Sequence, residues 1–110
     1  MRIVDRKTFL TLPSGTVYQK YEPCIFSGLA IKRDSLENDW FLTSLDDASF
    51  QNEWDSGDHF DLCAVAESGE NVPLDYDIEQ RDGCFDDSDL FAVWTKDDVR
   101  GFISLLQATL

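Results

Sequence analysis

Positive charge is what this chain has least of. Its 110 residues hold 9 Lys+Arg against 22 Asp+Glu, a formal net charge of -13 with the single histidine neutral. Binding to bare nucleic acid or to an anionic membrane depends on clustered cations that displace counterions, so neither is expected as a direct partner. Long apolar runs are missing too. No stretch approaches the roughly 20 residues that span a bilayer as a helix, and the opening MRIVDRKTFLTLPSGT lacks the apolar segment of a secretory leader. Cysteine is sparse: Cys24, Cys63 and Cys84 form an odd, widely spaced set without a C-x-x-C pair. That pattern predicts free, buried small thiols in a cytosolic protein rather than a disulfide framework. No internal repeat, low-complexity tract or Pro-rich linker divides the chain, so residues 1–110 are expected to form a single domain.

What is present supports a packed core. Hydrophobic residues make up 43% and aromatics 13% of the chain, too much apolar surface for a disordered segment. Asp5 can cap a short helix over 6–12, stopped by Pro13-Ser14-Gly15. TVYQKY at 16–21 reads as a strand, CIFSGLAIK at 24–32 as a second with Gly28 as a bulge, and residues 40–45 as a third after the polar turn RDSLEN. Asp46 or Asp47 then offers a cap for a helix carrying Phe50 and Trp54, and Asp58 restarts a helix through Phe60, Cys63 and Ala64. Leu74, Tyr76 and Ile78 alternate with Asp75, Asp77 and Glu79, the period of a half-buried strand. LFAVW at 90–94 reads as a central strand. Thr95 and Asp98 form a capping box for a C-terminal helix whose Val99, Phe102, Ile103, Leu106 and Leu110 share one face. The expected fold class is α+β: a mainly antiparallel sheet of about five strands, an amphipathic C-terminal helix and a helical middle segment.

Charge is uneven along this framework. Residues 1–36 carry six basic and three acidic side chains; residues 37–110 carry three basic and nineteen acidic. Calcium is the first chemistry to weigh, because counting from Asp75 places oxygens at the spacing of an EF-hand loop. The glycine position is Gln80, the final ligand is Asp86 rather than Glu, and Arg81 sits inside the loop, so no calcium site is expected. Zinc would need His59 and Cys63, one helical turn apart, to converge with Cys24 and Cys84. Distant convergence of that kind is not expected, and no metal or cofactor is assigned. Asp58, next to His59, cannot readily orient its ring, because adjacent helical residues do not face each other. With no G-x-S-x-G, Gly-rich phosphate loop or H-E-x-x-H, no catalytic residue is assigned either.

The acidic surface remains. On a strand, Asp75, Asp77 and Glu79 would project from one face about 6.6–6.8 Å apart. Asp82, Asp86, Asp87 and Asp89 follow in the next loop, and Asp46, Asp47, Glu53, Asp55, Asp58 and Asp61 cover the middle helices. Such an array can occupy a Lys/Arg groove that ordinarily holds phosphates. Solvation alone would be served by a smaller net charge, roughly 2–8 for a small domain.

Two stretches, DRKTFLTLPSGTVYQKYEPCIFSGLAIK at 5–32 and DGCFDDSDLFAVWTKDDVRGFISLL at 82–106, resemble small accessory proteins encoded in bacteriophage and prophage genomes. The resemblance spans both ends, about half of the chain, and implies a bacterial host cytoplasm. By analogy with phage anti-CRISPR and anti-restriction proteins it implies a stoichiometric inhibitor, whose partner is the basic surface of a nucleic-acid-handling host protein. The alternative is a structural or self-assembling accessory domain, a homo-oligomer built through the C-terminal helix.

Overall fold

The computed structural model describes residues 1–47, 49–51, 53 and 56–110, without the side chain of Ser56. Along the chain run β1 (Arg2–Asp5), α1 (Arg6–Leu10), β2 (Val17–Glu22), β3 (Ile25–Phe26), β4 (Ala30–Leu36) and β5 (Asp39–Ser44). There follow β6 (Ser49–Phe50), α2 (Ser56–Glu67), β7 (Leu74–Asp75), β8 (Gln80–Arg81), β9 (Leu90–Val93) and α3 (Lys96–Gln107). Seven strands make one sheet in the order β1-β9-β2-β4-β5-β8, with β3 folded back on β2; β6 and β7 form a separate pair. Every pairing is antiparallel. The class is α+β with an antiparallel sheet and a C-terminal helix.

The core lies on one face of the large sheet, beneath α1. The Asp5 carboxylate accepts the Thr8 N–H at 2.8 Å and starts α1, which drops Phe9 onto the sheet. Period-two alternation sends Tyr18 from β2, Trp40 from β5, and Phe91 and Val93 from β9 to the same side. Phe9 stacks on Phe91 with centroids 4.2 Å apart and meets Tyr18 and Trp40 edge-on at 4.6 and 5.0 Å. Trp40 Nε1 donates to Tyr18 Oη at 2.9 Å, so the buried indole is satisfied. Two cations enter this layer. Arg6 lies over the Trp40 ring and donates to Asn38. Lys32 Nζ donates to the Arg33 carbonyl at 3.1 Å, and burial pushes its ammonium below the ordinary 10.5.

Several expectations need correction. The strand expected over 24–32 is two strands: a tight turn at Pro23-Cys24, with Cys24 at φ 66, folds β3 back onto β2, and β4 starts only at Ala30. The expected turn RDSLEN is mostly the second half of β4, and the reversal falls on Glu37 (φ 51) and Asn38. Phe50 belongs to β6, because pairing with β7 overrides helical spacing; Trp54 lies outside the described residues. The strand expected over 74–79 is confined to Leu74–Asp75, and the chain then crosses irregularly to pair β8 with β5 in the other sheet. The thiols are not all buried: Cys24 and Cys84 are exposed and Cys63 is half-buried.

The largest correction concerns α3. Its cap is as expected, with Thr95 and Asp98 exchanging hydrogen bonds at 2.9 and 3.0 Å. Its apolar face, however, contributes no buried residue: Val99 and Phe102 are half-buried, while Ile103 and Leu106 are 48% and 51% exposed. The helix rests on the sheet's second face through the Trp94–Phe102 edge contact at 5.6 Å. Beside that contact lies an apolar cavity of about 480 Å³, lined by Val17, Leu29, Ile31, Leu45 and α3 itself. Amphipathicity identified the helix but not how closely it would pack.

Candidate functional site

In the 75–89 run, four carboxylates meet cations of this same chain. Lys20 reaches Asp82 at 2.9 Å and Asp89 at 3.9 Å, with the Asp82 side chain 7% exposed. Arg33 lies 3.5 Å from Asp77 and 3.8 Å from Glu79. Asp86 turns back on its own loop and accepts the Ser88 hydroxyl at 2.6 Å and N–H at 2.9 Å, contacts that hold its carboxyl below the usual 3.8. Asp75 accepts the Asp77 N–H at 3.2 Å. Asp87 is exposed. The run is therefore a bent loop system, and the flat row expected of Asp75, Asp77 and Glu79 does not form.

The 46–61 group divides in the same way. Asp46 latches two loops together, accepting the Leu29 N–H at 3.0 Å and lying 3.5 Å from Ser44 Oγ. Asp47 is exposed; with Asp75, Glu53 and His59 it lines a hollow of about 110 Å³. Asp58 is half-buried and Asp61 exposed on α2. Asp55 lies outside the described residues. Residues 34–80 contain fourteen Asp and Glu and no Lys or Arg. That stretch of sequence thus has one sign of fixed charge, and its cations come from outside it: Arg6 onto Asn38 and Trp40, Arg33 beside Asp77 and Glu79, and Arg81 onto Asp39. Arg81 Nε donates to the buried Asp39 at 2.9 Å.

One constellation here was only half visible in the sequence. Glu53, in the segment leading into α2, is fixed by the Phe50 N–H at 3.0 Å on Oε2. Its Oε1 lies 2.8 Å from His59 Nδ1. One helical turn on, Cys63 Sγ lies 3.6 Å from His59 Nε2. The spacing of His59 and Cys63 was legible, but the carboxylate was not. Glu53 is six residues upstream of His59 and outside α2, where no periodicity points to it. Among the described residues, no three His, Cys, Asp or Glu side chains are arranged to hold a metal ion. No helix among them is long and apolar enough to cross a membrane. No family model, curated protein or solved structure matches this chain, so the reading of its function rests on its own geometry and charge.

Proposed function

We propose that the protein is a small binding protein, of the phage-inhibitor type, whose carboxylate-rich middle engages a basic surface of a nucleic-acid-handling host protein in the bacterial cytoplasm. The observation that carries this reading is the single-signed stretch 34–80, fourteen carboxylates without one Lys or Arg. A field of that kind steers association with a cationic groove and competes with phosphate for the same donors. The surface left for a partner is narrower than the sequence implied. Asp82 and Asp89 are tied to Lys20, and Asp77, Glu79 and Asp46, though exposed, have partners in the fold, whereas Asp47, Asp61 and Asp87 are exposed and form no ion pair among the described residues.

The test uses those three. Partners are captured from bacterial lysate at low and high salt, and the captured protein is then titrated with the parent and with the Asp47→Asn, Asp61→Asn, Asp87→Asn triple variant. Each exposed charge contributes about 0.2–1 kcal/mol, so the triple variant should bind roughly tenfold more weakly. The fold should be retained, and the parent should displace DNA or RNA from the partner. Full affinity in the variant, with nucleic acid undisturbed, refutes the reading.

A second reading is favoured by one specific observation. Residues 101–110 carry no charged side chain, and Ile103, Leu105 and Leu106 are exposed along α3. Two copies could meet there without bringing their acidic middles together, as a self-assembling accessory domain requires.

A further inference from the structure

The Glu53–His59–Cys63 line has the layout by which proteins activate a sulfur nucleophile: a thiol, a base within reach, and a third group that orients the base. The carboxylate 2.8 Å from Nδ1 favours the ring tautomer with its proton on that nitrogen. The lone pair on Nε2 then faces Cys63 Sγ, 3.6 Å away. The ring is further confined by Phe50, with centroids 5.6 Å apart, and by Phe60 at 6.0 Å. His59 itself is exposed and Cys63 half-buried, so the sulfur is screened without being sealed. Cys24 and Cys84 are exposed, and among the described residues neither thiol has a histidine beside it.

The position of Cys63 selects among thiol reactions. It sits well inside α2 (Ser56–Glu67), where backbone N–H groups are engaged along the helix, so the helix backbone around the sulfur offers no free N–H pair for an oxyanion hole. Acyl transfer is therefore poorly served. Thiol–disulfide exchange needs no oxyanion donors, only a deprotonated sulfur and an in-line approach. We propose that Cys63 is a redox modification site, primed by the Glu53-oriented His59 to form a mixed disulfide with a small cationic disulfide. His59 Nε2 takes the Sγ proton, and Sγ attacks one sulfur of R–S–S–R. The S–S bond breaks as Cys63–S–S–R forms, and the departing thiolate recovers the proton from the imidazolium. Cys63 is oxidised and one sulfur of the reagent is reduced. The preference for a cation follows from the surroundings: Asp47, Glu53 and Asp75 line the adjoining hollow, no Lys or Arg is among its lining residues, and Asp61 lies on the same helix as Cys63. An anionic disulfide is repelled by the same charges.

The experiment exposes the whole, reduced chain to cystamine or to glutathione disulfide and follows each cysteine by peptide mass spectrometry. Cys24 and Cys84 serve as internal references. Cys63 is expected to react tenfold or more faster than either, although it is the least accessible of the three, and faster with cystamine than with the anionic reagent. His59→Asn should slow Cys63 at least tenfold and leave Cys24 and Cys84 unchanged. Glu53→Ala should slow it as well, while Glu53→Gln, which keeps an acceptor for Nδ1, should retain part of the rate. Cys63 reacting no faster than the other two overturns the proposal, as does an unchanged rate in His59→Asn. Equal rates in all three Glu53 forms overturn the positioning role. Should a variant lose its fold, the ranking of the three thiols in the parent decides alone.

Discussion

Replacing Phe9 with Ala should be the most damaging single truncation in α1. Phe9 is fully buried and touches Tyr18, Trp40 and Phe91, so removing its ring empties the centre of the aromatic layer. Rigid sheet residues on three sides leave little scope for collapse, which places the cost at about 3–5 kcal/mol. Against a total stability of roughly 5–15 kcal/mol for a domain of this kind, that is a large fraction. At about 4 °C per kcal/mol, the midpoint should fall by roughly 12–20 °C. Phe102→Ala is the matched control. Phe102 is half-buried against one edge of Trp94, and losing about half of a full aromatic burial costs about 1 kcal/mol. Urea unfolding followed by tryptophan fluorescence reads both, because Trp40 sits in the affected layer and the slope of the transition reports whether compactness is retained. Phe102→Ala costing as much as Phe9→Ala would refute the reasoning, since α3 would then belong to the core.

Lys32→Met should stabilise the protein by about 1–4 kcal/mol, because a buried ammonium that forms no ion pair among the described residues gives way to an apolar chain of similar length. The parent's stability should rise as pH climbs through the lowered folded value of Lys32 toward 10.5, and the variant should lose that rise. Asp39 feels burial pushing its carboxyl up, but the Trp40 and Gly83 N–H groups and Arg81 hold it below 3.8. Asp98, bonded to the Met1 α-amino group, Thr95 N–H and Thr95 hydroxyl, is held at about 2. Both contribute stability above pH 3.8 that is lost as the medium is acidified through their lowered folded values, for Asp98 about 2, and acid titration of Asp39→Asn should show a shallower loss than the parent. If α3 mediates self-association, Leu106→Glu should shift a sedimentation profile from dimer to monomer and abolish the rise of the melting midpoint with protein concentration; a monomeric parent at all concentrations would exclude that role.

The parts of the fold that the sequence foretold are those decided by local chemistry. Asp5 and Thr95 announced their helices because a cap is a contact between residues three apart, and TVYQKY and LFAVW announced strands through β-branched and aromatic content. The misreadings share a cause. Phe50 sits in a strand because residue 74 lies opposite it, and Ile78 sits in no strand because the chain there is changing sheets. Neither fact has a local signal. The apolar face of α3 was legible, but whether a helix face is covered depends on how much sheet remains beneath it once α1 has taken the other side.

The same distinction governs the charges. A run of Asp and Glu reads as one surface in sequence, because the sequence does not record which cations reach it. Lys20 lies more than sixty residues from Asp82 and Asp89, and Arg33 more than forty from Asp77 and Glu79; together they make four carboxylates ties between loop and sheet, of which Asp77 and Glu79 remain exposed. Asp46 and Glu53 are engaged by a backbone N–H and an imidazole. A variant that neutralised the whole acidic run would therefore loosen the fold and weaken binding together, and its loss of affinity would say nothing about the surface. Substituting Asp47, Asp61 and Asp87 separates the two effects, because none of the three forms an ion pair among the described residues.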